Sequence, residues 1–550
     1  MAKKQKGDSL VRNATVLMVA SIISRIIGLV YRRPLGEILG SVGLGYYGYA
    51  SNLYTILLLI SSYSIPMAVS KIVSERLAKK QYKNAWKMFR GALIYAVIVG
   101  AGTALVCWFF GGFLLPRNQQ NALPALRALA PTIFFSAILG VLRGYFQAHK
   151  TMTPTSVSQI MEQVMNAVIS ILAAWILVSA QAGSESGQAV YGAMGGTIGT
   201  GAGVLTGLAF MLWVFAVNRK YFMKKAAQDT TGTVESYGEI LREMVQLITP
   251  IIFTSFILNC SAYLDSYLYS TIQGINGFSD TAISAAYGEY SNYYVPLVSI
   301  PLAMASASTS AMMPEVSGLH AIGSIREAND KINETMKLSM LICIPCMVGL
   351  TVLARPIMQV LFPAASDLAG TLLLTGSVFV VTDSFSIISG GVLQSIGHQT
   401  TALINSAVSL GVNLISLALI LFAVPGSDIY AVMISNIIFS VVCCVMNIFS
   451  MKKYLGIHHE IRKTYIEPLA ASFLMGVAAW LVYHVFYLLV HHSSISLILA
   501  ILAALLVYLI AYVKISGITK TELAKVPGGG RIVDFLTRIH VYDGSESGYF

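Results

Sequence analysis

Long apolar runs follow one another along the whole chain, each closed by a short polar connection. A helix needs about 20 mostly apolar residues to cross about 30 Å of hydrocarbon. Runs of that kind cover residues 12–34, 46–70, 91–115, 125–147, 157–180, 189–217, 240–264 and 284–313. Six more cover 337–362, 369–393, 402–424, 428–450, 466–490 and 493–513. The pattern predicts an all-α polytopic membrane protein with 14 transmembrane helices. Composition closes the alternatives: of 550 residues, 56% are apolar and 11% charged, against roughly 25% charged in a soluble chain. A soluble enzyme, a disordered scaffold and a secreted disulfide module are excluded.

Charge then orients the spans. With the N-terminus taken as cytoplasmic, the inner connections hold 29 of the 36 Lys and Arg residues, seven of them in 71–90. The connections on the other side carry Glu37, Glu185, Asp280, Asp367 and Asp428. The positive-inside rule therefore predicts both termini in the cytoplasm. It also accounts for the net charge of +11 without a nucleic-acid partner. The basic segment before the first run leads into a retained helix, since no small-residue cleavage site follows and many spans do.

A motif recurs. Tyr47-Gly48-x-x-Ser51-Asn52-x-Tyr54 opens the second run, and Tyr287-Gly288-x-x-Ser291-Asn292-x-Tyr294 opens the eighth, 240 residues later. Gly144-x-x-Gln147 near the end of the fourth run returns as Gly391-x-x-Gln394 in the tenth, 247 residues later. Both copies enter from the same side, which predicts two six-helix lobes in parallel repeat plus two C-terminal helices. The expected division is 1–225, 226–450, 451–514 and a cytoplasmic tail at 515–550. Two such bundles about an axis along the membrane normal form the architecture of a rocking transporter.

Charges inside the spans carry the candidate chemistry, because each costs about 2.5–3.5 kcal/mol on insertion scales. Arg25 lies near mid-span in the first run, and Arg32 follows at i+7 on the same face. Stacked guanidiniums suit phosphate or pyrophosphate, whose oxygens match their forked donors; the alternative is a structural ion pair for Arg25 and an interfacial anchor for Arg32. Glu162 in the fifth run is a candidate partner for Arg143 in the fourth, as a functional or a structural pair. Asp265 closes the seventh run, where it could meet a cavity arginine or a substrate amine. Asn52 and Asn292 hold equivalent repeat positions and could bond across to a facing helix. Asp383 lies deep in the tenth run. No G-x-x-x-x-G-K-[ST] phosphate loop occurs, so ATP is not the direct motor. The six cysteines, Cys343-x-x-Cys346 included, fall in apolar sequence and read as packing residues. No catalytic or metal cluster is expected, and no cofactor.

Ser24-Arg25-Ile-Ile-Gly28-Leu-Val-Tyr-Arg32-Arg-Pro-Leu-Gly36, followed by Gly43-x-Gly-Tyr-Tyr47-Gly48, resembles the first two spans of polysaccharide-biosynthesis and lipid II flippases. These belong to the multidrug/oligosaccharidyl-lipid/polysaccharide exporter superfamily. The resemblance covers essentially the whole chain and is greatest to the Gram-positive lipid II flippase and stage V sporulation protein B group. It implies a plasma-membrane transporter, not an enzyme, that carries lipid II from the inner to the outer leaflet by alternating access for peptidoglycan synthesis. Arg25 and Arg32 match the arginines that line the family's cationic cavity, and Asp265 matches its acidic residue of span seven. Spans 13 and 14 correspond to a groove for the lipid tail. The family's second-lobe cavity arginine has no counterpart between Tyr294 and Met313. Alternative substrates are a teichoic-acid or polysaccharide lipid-linked unit; a cation-coupled drug exporter ranks below both. The implied partners are the lipid-linked glycan precursor, membrane lipids and cell-wall synthesis proteins, with the chain itself monomeric. The driving force is left between membrane potential, H+ and Na+.

Overall fold

Glycines, prolines and π-turns decide where the apolar runs are cut. The computed structural model describes residues 23–63, 65–181, 183–227, 229, 235–457, 460–516, 520 and 529–538, and among them there are helices and no strands. Helix α1 covers 23–30 and α2 covers Arg32–Leu58. Gly40 breaks α2 with φ +63°, a conformation that penalises any side chain, and so divides the first predicted span from the second. A π-turn at Leu59–Tyr63 separates α2 from α3, Ile65–Ala78.

The next helices are α4 Tyr82–Leu114, α5 Leu123–Ala148, α6 Thr153–Ala180 and α7 Glu185–Ala227. The seventh predicted span is two helices, α8 Tyr237–Asn259 and α9 Ser261–Ile275. The eighth is also interrupted: α10 Asp280–Glu289 runs through a π-turn at Tyr290–Tyr294 into α11, Val295–Ala321. Then come α12 Ile325–Val352, α13 Ala354–Leu361, α14 Asp367–Gly376 and α15 Phe379–Ser395. The chain continues with α16 Gln399–Ala423, α17 Ile429–Leu455, α18 Glu467–Val490, α19 Ser493–Ser516 and α20 Gly529–Arg538.

Among the described residues, 11 helices are long and apolar enough to cross a membrane, or 12 if the pair α14 and α15, bent by 50°, forms one span. That is fewer than the 14 predicted. The start of the first predicted span lies outside the described residues, and α8, with Glu239, Arg242 and Glu243, is not among the 11.

Two compact units emerge: Met1–Asn292 with Leu421–Asp428, and Tyr293–Ile420 with Ile429–Phe550. In the first, α3, α4, α5 and α7 close on a core that includes Phe89, Tyr145, Phe146 and Phe222. Helices α6 and α7 meet along a seam of glycines: a Cβ at Gly195 would lie 2.5 Å from Ala174 Cα, and one at Gly203 would lie 2.5 Å from Glu162 O. The glycines of α7 therefore let its backbone approach α6 closely.

In the second unit, α11, α12 and α15 share a methionine-rich core with Met312, Met336, Met340, Ile388 and Val392. Helices α18 and α19 pair, and Tyr508 of α19 donates to Leu341 O of α12 at 2.7 Å. One packing device occurs in both units. A Cβ at Gly144 would meet Val69 Cβ at 3.0 Å, and one at Gly391 would run into the Thr309 side chain. Val69 and Thr309 are separated by the same 240 residues as the two Tyr-Gly motifs.

Candidate functional site

The two Tyr-Gly motifs pack against each other where α2 crosses α10. A Cβ at Gly48 would lie 2.7 Å from Ser291 Oγ. At Gly45 and Gly288 a Cβ would overlap Ser284 O and Ser41 O respectively, so only glycine admits this approach. Around the crossing, Tyr49 stacks on Tyr287 with ring centroids 4.5 Å apart. Asn52 Nδ2 donates to the Tyr287 hydroxyl and, at 3.3 Å, to Ala262 O. Asn292 is buried and donates to Leu44 O at 3.0 Å and Gly288 O at 3.2 Å. Each repeat asparagine thus bonds to the facing helix.

Arg32 enters the same crossing. Its Nη1 donates to Asn292 O at 3.2 Å and Ser291 O at 3.4 Å. Backbone chemistry explains the pairing: Pro296 has no amide hydrogen, so the carbonyls four and five residues before it, at 292 and 291, lose their helical donor. The guanidinium supplies it. The two arginines expected on one face therefore differ in their partners. Arg32 is half-buried and engaged, whereas Arg25 on α1 is exposed and has no hydrogen-bond or ion-pair partner among the described residues.

Arg143 and Glu162 do meet. Nη2 of Arg143 stands 2.7 Å from Glu162 Oε2, and its Nε donates to Ser158 Oγ at 3.0 Å. Both side chains are largely enclosed, 15% and 22% exposed. Glu162 also sits on the glycine seam, so the pair joins α5 and α6 beside α7. Asp265 is buried on α9 and accepts from Ser261 Oγ at 3.0 Å.

Several residues outside the expected set complete the arrangement. Asn118 and Ser270 bond reciprocally, Nδ2 to Ser270 O and Ser270 Oγ to Oδ1, each at 2.8 Å. Gln119 is buried and takes the Ser284 hydroxyl. Tyr269 donates to Asp428, and Gln273 to Pro425 O at 3.2 Å. At the other end of the unit, buried Arg76 donates from Nη2 to Glu235 at 2.8 Å and from Nη1 to Glu243 at 3.3 Å. Pro296 was the legible signal for Arg32; neutral amides such as Asn118 and Gln119 carry none. Asp383 on α15 is half-buried and has no hydrogen-bond or ion-pair partner among the described residues. The six cysteines are free, and among the described residues no group of three His, Cys, Asp or Glu could hold a metal ion.

The family model for "Polysaccharide biosynthesis protein" matches residues 10–320, more than half the chain. The chain belongs to the polysaccharide biosynthesis protein family. Within the curated relatives, the lipid II flippase MurJ of Bacillus subtilis (strain 168) is 24% identical over 500 residues, covering 86% of this chain and 89% of that one. Stage V sporulation protein B of the same organism is 22% identical over 529 residues, covering 96% and 99%. A solved structure of the lipid II flippase MurJ in an inward closed conformation matches with a TM-score of 0.66 and 16% identity, covering 91% of this chain and 98% of that one. This member of the polysaccharide biosynthesis family has the fold of transporters of the multidrug/oligosaccharidyl-lipid/polysaccharide exporter superfamily.

Proposed function

We propose that this chain is a flippase that moves lipid II, the undecaprenyl-pyrophosphate-linked peptidoglycan precursor, from the inner to the outer leaflet by alternating access. The observation that carries the reading is Arg25. It is a guanidinium in the first span of a flippase fold, and the described residues leave it exposed and unpaired. An arginine so placed is free to grip a pyrophosphate bidentately, while the polyprenyl chain stays in lipid. Arg32 stands seven residues further along the same span.

The reading takes the chain as 14 spans with both ends in the cytoplasm. Residues 1–225 and 226–450 are its two lobes, and 451–514 is an appendage whose helices α18 and α19 hold the lipid tail. The recurring pairs Val69–Gly144 and Thr309–Gly391 favour such a duplication. The crossing of α2 and α10 is then a seal on the outer side, which parts when the substrate leaves. Coupling to membrane potential, H+ or Na+ has a candidate in Asp383, an intramembrane carboxylate. On this reading the protein works as a monomer beside cell-wall synthesis proteins. The family name itself favours one second reading, a polysaccharide or teichoic-acid lipid-linked unit as cargo.

Reconstitution in vesicles with fluorescent lipid II and, in parallel, a lipid-linked polysaccharide precursor tests the proposal. Leaflet transfer of lipid II alone is expected. Transfer of only the polysaccharide precursor would assign the other cargo, and transfer of neither would remove the flippase reading.

A further inference from the structure

Helix α20, Gly529–Arg538, has the sequence Gly-Gly-Arg-Ile-Val-Asp-Phe-Leu-Thr-Arg. At 100° per residue, the positions of Ile532, Phe535 and Leu536 fall together on one side. The positions of Arg531, Asp534 and Arg538 fall together on the other, with the two arginine positions next to the apolar face. Asp534 and Arg538 are exposed. Such a helix is too short and too polar to span a bilayer and has the division of faces that lies flat in one.

Two further facts identify what covers the apolar face. Helix α19 ends at Ser516 and α20 begins at Gly529; 13 residues reach at most about 45 Å, so α20 lies within reach of the surface where α19 ends. Between 514 and 538 the chain carries five basic residues, Lys514, Lys520, Lys525, Arg531 and Arg538, against Glu522 and Asp534. A juxtamembrane excess of that sign is drawn to acidic lipid headgroups.

We infer that α20 docks in the headgroup region of an anionic leaflet next to α19, with the Phe535 face in the acyl boundary and Arg531 and Arg538 on phospholipid phosphates. Apolar area and charge attraction act together there. The inference rests only on α19 crossing the membrane and is indifferent to what the protein transports.

The test uses the full chain in nanodiscs, with the six native cysteines replaced and one environment-sensitive fluorophore attached through Leu536→Cys or Asp534→Cys. In discs containing phosphatidylglycerol, the label at 536 is expected to be blue-shifted and quenched by shallow spin-labelled lipid, and the label at 534 to stay in water. Arg531→Gln and Arg538→Gln should each lower the docked-to-undocked ratio about fivefold, and uncharged phosphatidylcholine discs should lower it further. Equal quenching at 534 and 536 would overturn the inference. So would a blue-shifted label at 536 that lipid quenchers do not reach, since a protein surface would then cover the face. Quenching indifferent to both lipid charge and the arginine variants would overturn the headgroup pairing.

Discussion

The guanidinium of Arg32 lies 3.2 Å from the carbonyl oxygen of Asn292, a residue 260 positions away. A proline four residues on deprives that oxygen of its amide, and the arginine replaces it. Under the proposed function this contact separates the two arginines by expected role. Arg32→Ala should strand two carbonyls and cost about 1–3 kcal/mol of stability, read as a lower Tm in detergent. Arg25→Ala should leave Tm unchanged and abolish lipid II transfer per folded molecule, with Arg25→Lys partly active because an ammonium lacks the fork. Collapsed stability in Arg25→Ala would hand that residue a structural role.

Arg143 and Glu162 form a largely enclosed pair, so removing one charge leaves the other stranded. Arg143→Met or Glu162→Leu alone should cost about 3–5 kcal/mol, and the double variant should regain most of it. A double-mutant cycle on thermal stability gives the coupling. Transfer that stays lost in the stable double variant would show that the pair serves transport as well as folding.

The crossing of α2 and α10 has no room for a methyl group. Gly45→Ala and Gly288→Ala should each destabilise by about 1–3 kcal/mol through overpacking. Gly28→Ala, where nothing lies within 4 Å, should stay within about 0.5 kcal/mol of the parent. Equal Tm values for all three would refute the close approach.

His149 follows the end of α5, where its Nδ1 meets Tyr145 O at 2.9 Å and its ring lies 4.9 Å from Phe222. Burial lowers its imidazole below the usual histidine range. The unfolded chain therefore takes up this proton at a higher pH than the folded one, and stability is lost as pH falls from the usual histidine value toward the folded one. Tm should drop less between pH 8 and pH 5 in His149→Phe than in the parent; identical slopes would disprove the contribution.

Orientation is open to a direct measurement. A membrane-impermeant thiol reagent applied outside intact cells should miss cysteines introduced in 71–90 and at 529–538 and modify one placed at Glu185. Labelling at 529–538 would invert the proposed topology.

Much of this architecture is legible in the order of apolar and polar residues. The long helices α4, α6, α7, α16 and α17 fall on the predicted runs, because a run that must be helical in lipid gives its own length. The Arg143–Glu162 pair was legible too, since two opposite charges within adjacent spans have few other partners. What could not be read is where helices stop being regular. The break at Cys260 and the π-turns at Leu59–Tyr63 and Tyr290–Tyr294 depend on which neighbour accepts the freed backbone groups. The carbonyl partners of Arg32 follow from one of these irregularities, so periodicity, which placed it on the face of Arg25, did not give them.

The seam between α6 and α7 has a consequence for how the chain is made. A helix notched by Gly192, Gly195, Gly199 and Gly203 offers lipid tails a surface they fill badly, and its notches fit the backbone of the helix synthesised just before it. Only residues 181–184 separate the two. Because α7 is synthesised directly after α6, the two are expected to close as one hairpin before later helices compete for the seam. A ribosome paused far enough beyond Ala227 for α7 to have cleared the exit tunnel should already hold this pair closed.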